Sequence, residues 1–179
     1  MASTKHTLVA LVQDKPGVLN RMVSLFRRRG FNIASIAVGS SELSGFSRIT
    51  FVVDGSLTMV EQVRKQLLAK VIEVVKVIDI TEEEIVIREL ALIKVKSPAG
   101  SRSEIIQIVD IFRADIVDVS QDSLTIEITG TEEKIDSLLD LLRGFGIREI
   151  ARTGRIAMVR GSSNGEEKTD KPEVEAQTA

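Results

Sequence analysis

Residues 8–39 read LVALVQDKPGVLNRMVSLFRRRGFNIASIAVG, and their apolar periodicity changes from that of a strand to that of a helix and back. Leu8–Val12 is a short apolar run that predicts a strand, and the turn-forming residues 13–17 end it. Apolar residues then recur at helical spacing from Val18 to Phe26. Residues 31–38 again have the composition of a strand.

The rest of the chain extends this pattern into an internal repeat. An alternating segment at 49–53, a helical pattern at 60–67 and a β-branched run at 71–80 complete the order β-α-β-β-α-β. The same order recurs between residues 90 and 151, and residues 156–159 are a candidate for one more strand. Because this order is the split β-α-β signature, we predict an α+β protein with two tandem ferredoxin-like domains, each a four-stranded antiparallel sheet with two helices on one face.

Composition divides the chain into four predicted segments. We place the first domain at residues 1–80, an acidic linker at 81–87 and the second domain at 88–160. Residues 161–179 are polar and contain proline and glycine, so they cannot bury enough apolar surface to offset the entropy of ordering. We therefore expect a disordered tail there.

The residue content of the chain excludes several classes of function. The 179 residues include no Cys and one His, His6, which we expect at the surface, so thiolate nucleophiles and Cys- or paired-His metal sites are excluded. The net charge of −2 and the few aromatic residues, with only Phe51 in a central strand, argue against nucleic-acid binding. No apolar run reaches the roughly 20 residues of a membrane span, and no secretory signal is evident. We predict a cytoplasmic protein with no metal, catalytic residue, nucleic acid or membrane partner.

Two features of the first domain predict a homodimer. Both faces of the strand at 8–12 are apolar, so we expect the face without helices to be covered by oligomerisation, by docking of the second half of the chain, or by both. The fold also places the second strand, residues 31–39, at a sheet edge. Two copies joined at this edge would form a continuous eight-stranded sheet across a two-fold axis.

The sequence Asp14-Lys15-Pro16-Gly17 is the strongest candidate for a binding site. It joins a strand to the amino end of a helix, whose free N–H groups favour a carboxylate. The Asp14 carboxylate could accept hydrogen bonds from an α-ammonium group, and Gly17 would allow close approach because it has no Cβ. The same four residues also suit an ordinary turn and helix cap, and Asn32 is ambiguous in the same way.

Several stretches resemble the small regulatory subunits of acetolactate synthase, also called acetohydroxyacid synthase, whose first domain is an ACT domain. The most specific are RRRGFNI at 27–33, RELALIKV at 88–95 and EIARTGRIAMVRG at 149–161, in this order. The resemblance extends from residue 7 to residue 161. It includes DKPGVLNRMVSLFRRRGFNIASIAVG at 14–39, SR at 47–48, EQVRKQLLAKVIEVVKV at 61–77 and IFRADIVDVS at 111–120.

This resemblance implies a function in which valine, or a related branched-chain amino acid, binds between two ACT domains of a homodimer. The positions that match the family's ligand contacts are, in one chain, Asp14, Lys15, Pro16, Gly17, Val18 and Leu19, and, in the other, Asn32 and Ile33. The resemblance further implies that a separate large subunit carries thiamine diphosphate, magnesium and FAD, while this chain activates it and imposes feedback inhibition. Some family members have Asn where this chain has Asp14. The alternative interpretation is an ACT-domain amino-acid sensor that regulates a different enzyme.

Overall fold

The computed structural model describes residues 4–161, and within them the β-α-β-β-α-β order occurs twice. The elements of the first repeat are β1 (Thr4–Gln13), α1 (Val18–Arg28), β2 (Ile33–Ser40), β3 (Phe46–Gly55), α2 (Leu57–Lys70) and β4 (Val74–Asp79). Those of the second are β5 (Ile85–Lys96), α3 (Arg102–Ile111), β6 (Asp115–Val119), β7 (Ser123–Gly130), α4 (Glu132–Leu142) and β8 (Ile147–Arg152), followed by β9 (Ile156–Val159). The predicted fold class is confirmed.

The two repeats have the same sheet topology. The strand order is β2-β3-β1-β4 in the first sheet and β6-β7-β5-β8 in the second, where β9 also pairs with β5. Neighbouring strands along both orders are antiparallel. The second strand of each repeat therefore lies at a sheet edge, as the split β-α-β signature predicts.

The described chain divides into two compact units, and residues 87–156 form the second of them. The strand β9, from Ala157 onward, groups with the first unit. Strand β5 begins at Ile85, so residues 85–87 of the predicted linker are part of a strand, as their β-branched sequence Ile-Val-Ile allows. The predicted domain boundaries stay predictions, and the predicted tail lies outside the described residues except for Gly161.

Aliphatic and phenylalanine side chains fill the core between the first sheet and its two helices. Phe26 of α1 and Phe51 of β3 are fully buried with ring centroids 5.0 Å apart, and Phe31 meets Phe26 edge-on at 6.1 Å. Strand β2 begins at Ile33 rather than Phe31, because the Phe31 N–H donates to the Phe26 carbonyl (3.1 Å) and closes the end of α1 instead. Phe31 therefore closes the end of α1, where its ring packs on Phe26, and it is not part of the edge strand.

The helix-free face of the first sheet is covered within one chain. Thr7 and Val9 of β1 are 4% and 5% exposed, and Thr50 and Val52 of β3 are 3% and 2% exposed. On the same face, Arg48 donates to the Ala157 carbonyl (3.1 Å) in β9, which belongs to the same compact unit. These four residues are thus buried without a second copy, whereas Ile78, which pairs with Val9, is 39% exposed. The open edge of β2 is a further reason to expect a dimer.

The expectation that His6 lies at the surface is wrong, since the side chain is buried. Residues two apart in a strand share a face, so His6 lies on the core side with Leu8. Its Nδ1 lies 3.1 Å from Oδ2 of Asp79, and the other oxygen of Asp79 accepts from the Thr81 N–H at 3.0 Å. The histidine thus ties β1 to the end of β4.

Phe26→Ala is expected to lower the free energy of unfolding by about 3–5 kcal/mol, because it removes the ring that joins Phe31 to Phe51 and leaves a cavity. Ile72→Ala is the control, since Ile72 is 84% exposed and its truncation should change the free energy by less than about 0.5 kcal/mol. Equilibrium urea unfolding followed by circular dichroism measures both. Equal effects of the two substitutions would contradict this description of the core.

Candidate functional site

The loop between β1 and α1 is fixed by backbone hydrogen bonds. The Asp14 N–H donates to the carbonyl of Gly45 (2.8 Å), which lies in the turn between β2 and β3. Within the loop, the N–H groups of Lys15 and Val18 donate to the carbonyls of Gln13 (3.0 Å) and Lys15 (3.4 Å). Asp14, Lys15 and Pro16 are exposed. The loop therefore presents a carboxylate and an ammonium group from a defined backbone.

Gly17 ends this loop in a left-handed conformation, with φ at 82° and ψ at −4°. A Cβ at this position would lie 3.4 Å from Nη1 of Arg21, which is an ordinary van der Waals distance. The glycine is thus required first by its backbone conformation, which disfavours side chains other than Asn and Asp. Close approach of a ligand, the reason expected from the sequence, is therefore not the first reason for a glycine at this position.

The amino end of α1 differs from those of two other helices. Ser56 and Thr131 cap α2 and α4 by accepting from the N–H groups of Met59 (3.4 Å) and Lys134 (3.5 Å). At Gly17, the residue that precedes α1, no side-chain cap is formed, and Ser101 before α3 forms none either. Because the first N–H groups of a helix lack partners within the helix, this end of α1 is left available for an external carboxylate.

Aliphatic side chains of α1 fall into two groups beside the loop. Val18 is 3% exposed and packs in the core, and its N–H already donates to the Lys15 carbonyl. Leu19 is 42% exposed and Val23, one helical turn later, is 37% exposed. These two side chains give the start of α1 an apolar surface outside the core.

An ion pair that the sequence analysis missed lies next to the loop. Arg21, in the first turn of α1, donates through Nη2 to Oε1 of Glu73 at 2.6 Å, and the Glu73 carbonyl accepts from the Gln13 N–H at 2.9 Å. The spacing of four residues between Gly17 and Arg21 places both on one side of the helix, but a partner 52 residues away gives no local sequence signal. The pair anchors the start of α1 to the segment before β4.

Asn32 and Ile33 lie far from this loop in the same chain. Ile33 pairs with Val53, and Val53 pairs with His6 near the start of β1. The loop follows Gln13, seven residues further along β1, which corresponds to about 23 Å at the usual rise per strand residue. The structure therefore groups Asp14–Leu19 together but places Asn32 and Ile33 at the opposite end of the sheet.

Residues 4–161 contain neither a cluster of metal ligands nor a helix that could span a membrane. No group of three or more metal-ligating side chains lies together there. None of the helices in this range combines the length and apolar character needed to span a membrane.

Comparison with known proteins finds two family models that match successive parts of the chain. Residues 8–76 match the ACT domain of small-subunit-like proteins of acetohydroxyacid synthase, and residues 88–161 match the small subunit of acetolactate synthase.

Individual relatives agree with the family models. A probable acetolactate synthase small subunit of Archaeoglobus fulgidus is 55% identical over 158 residues, which cover 88% of this chain and 98% of that protein. The acetolactate synthase small subunit of Mycobacterium bovis is 52% identical over 161 residues, 90% of this chain and 95% of that protein. The crystal structure of the small subunit from Thermotoga maritima superposes with a TM-score of 0.82 at 45% identity, covering 88% of this chain and 98% of that one.

Gly17→Ala is expected to lower the free energy of unfolding by about 1–2 kcal/mol, because alanine is strained at a positive φ. Gly17→Asn should cost less, since asparagine tolerates the left-handed region. Urea unfolding of both variants tests this, and an alanine variant as stable as the asparagine variant would show that the loop does not need its left-handed residue.

Proposed function

Because the chain belongs to the family of acetolactate synthase small subunits, we propose that it binds valine, or a related branched-chain amino acid, between the ACT domains of a homodimer. We further propose that the bound amino acid imposes feedback inhibition on a catalytic large subunit that this chain otherwise activates. In this proposal the large subunit carries thiamine diphosphate, magnesium and FAD, and the small subunit contributes no catalytic group. The observation that carries the proposal is the uncapped start of α1 beside an exposed carboxylate.

The loop offers complementary groups for each part of an amino-acid zwitterion. The amino end of α1 would receive the α-carboxylate, because the helix dipole is positive there and no side chain caps it. The exposed carboxylate of Asp14 would accept from the α-ammonium group. Leu19 is the exposed aliphatic side chain nearest in sequence to this helix start, which favours an aliphatic ligand.

A two-fold axis through the edge strand would complete the site. Two copies of β2 paired antiparallel place the first residues of one strand beside the last residues of the other. Ser40, the last residue of β2, pairs with Ser47, at the end of the sheet where the loop lies. Asn32 and Ile33 of the second copy would therefore arrive at the same end as Asp14–Leu19 of the first.

Exposed apolar side chains support the same pairing. Val38 of β2 is 52% exposed and lies opposite Ile49, a core residue, so it is on the helix-bearing side of the sheet. Leu19 and Val23 are exposed on α1, a helix of that same side. An edge-to-edge dimer would bring these side chains toward their counterparts and remove apolar surface from water.

Titration calorimetry of the purified chain with valine, leucine and isoleucine tests the proposal directly. Reconstitution with the large subunit, with and without the amino acid that binds, then tests inhibition and activation. We expect saturable binding of at least one of the three ligands and a loss of synthase activity when it is added. A dimer that binds none of them would contradict the proposed ligand class.

Gly17→Asp is expected to abolish valine binding, because its charge would repel the ligand carboxylate at the helix start. Gly17→Asn is the matched control, since both side chains tolerate the left-handed backbone and differ in charge. Asn32→Ala should weaken binding roughly tenfold or more by removing a polar contact that the proposed dimer would bury. Calorimetry of the three variants gives the dissociation constants, and wild-type affinity in Gly17→Asp would place the site elsewhere.

Mixing the two defective chains tests whether the site is shared between copies. In a mixed dimer, one site combines the intact loop of the Asn32→Ala chain with the intact Asn32 of the Gly17→Asp chain. Random exchange of equal amounts should therefore restore wild-type affinity at about one site in four, as two-fold symmetry requires. If every contact came from one chain, mixing would restore no binding.

A further inference from the structure

Five charged side chains of the second unit form one connected network. Arg152 of β8 donates through Nε to Oε2 of Glu89 at 2.7 Å and through Nη1 to Oδ1 of Asp136 at 2.7 Å. Arg155, between β8 and β9, donates through Nη2 to Oε2 of Glu132 at 2.5 Å, and its Nε lies 3.6 Å from the other oxygen of Glu89. The network joins β5, the first turns of α4 and the segment after β8.

The centre of this network is withdrawn from water. The side chains of Glu89 and Arg155 are 6% and 13% exposed, whereas those of Glu132 and Asp136 at its rim are 35% and 52% exposed. Burial opposes the charge of Arg152, but its hydrogen bonds to Asp136 and Glu89 outweigh this effect and raise the pKa of the guanidinium group. A buried ion pair is a poor source of stability compared with apolar packing, so we attribute its presence to the defined geometry that it imposes.

Backbone bonds at the next residues reinforce the same connection. The Thr153 N–H donates to the Leu90 carbonyl at 2.9 Å, and the Leu90 N–H donates to Oγ1 of Thr153 at 3.0 Å. Together with the ion pairs of Arg152 and Arg155, these bonds hold residues 152–155 against residues 89–90.

Residues 89–90 and 152–155 are close in sequence to the two points where the chain connects one unit to the other. The chain enters the second unit at Ile87, two residues before Glu89, and leaves it after Ile156, one residue after Arg155. Both connections are thus tied to one network, although 66 residues separate Glu89 from Arg155 in sequence. A displacement of one connection relative to the other would strain both the network and the pairing of β5 with β9.

We propose that the network of Glu89, Glu132, Asp136, Arg152 and Arg155 couples the amino-acid site of the first unit to the second unit. The proposal rests on the proposed function for the existence of that site. Ligand binding in the first unit changes the two connections together, and the network transmits the change to β8 and α4. Removing one ion pair of the network then leaves the amino acid able to bind but abolishes its effect on the large subunit.

Arg155→Met tests the coupling, and Arg148→Met is the matched control. Arg148 is also in β8 and also donates to a carboxylate, that of Asp122 at 2.5 Å, but it lies at the start of the strand, away from both connections. We expect Arg155→Met to bind valine within about threefold of the wild type while the valine concentration for half-inhibition of the reconstituted enzyme rises at least tenfold. Arg148→Met should change neither quantity.

Hydrogen exchange provides a readout that does not depend on valine. Amides in residues 84–90 and 153–160 should exchange faster in Arg155→Met and remain as in the wild type in Arg148→Met. Glu132→Gln, which removes one rim carboxylate, replaces Arg155→Met if that variant does not fold. If Arg155→Met exchanges faster but the wild-type chain binds no amino acid, the network still holds the two connections together. That result would refute the proposed function and not the role of the network. Unchanged inhibition by valine in a folded Arg155→Met or Glu132→Gln variant would overturn the coupling.

Discussion

The register of β1 between its two neighbours is the constraint on which the first unit depends. This register places Leu8, Ala10 and Val12 against the helices, and a slip by one residue would exchange them for the side chains of the opposite face. It also sets where the strand ends, and therefore where the loop at 14–17 meets the turn at Gly45. The division of the candidate site between two ends of the sheet follows from the same pairing.

Local periodicity was enough to predict the order of the elements, the edge position of β2 and the loop at the start of α1. It failed where a long-range contact decides the outcome. The partner of the buried His6 is Asp79, 73 residues away, and the position of Phe31 depends on the end of α1. The separation of Asn32 from Asp14 requires the strand register, which periodicity alone does not specify. The network around Glu89 gives no local sequence signal because its members come from three separate segments.

The two repeats stabilise equivalent loops by different means. In the first, the Asp14 N–H bonds to Gly45, and in the second the Ser97 N–H bonds to the Asp122 carbonyl at 2.9 Å. The second loop is further filled by Arg102, whose guanidinium donates to the carbonyls of Ser97, Ser120 and Gln121. One topology thus provides an open helix start in the first unit and a loop closed by its own side chain in the second.

If the proposed pocket combines Asp14 of one copy with Asn32 of another, as their placement at opposite ends of the sheet requires, its formation depends on the concentration of the chain. A pocket assembled from two copies obeys mass action, so its availability rises with the square of the free monomer concentration below the dimerisation constant. By reciprocal linkage, an amino acid that fills the pocket also tightens the association of the copies. Under the proposed function, a cell that made too little of this chain would lose sensitivity to the end product before it lost the protein itself.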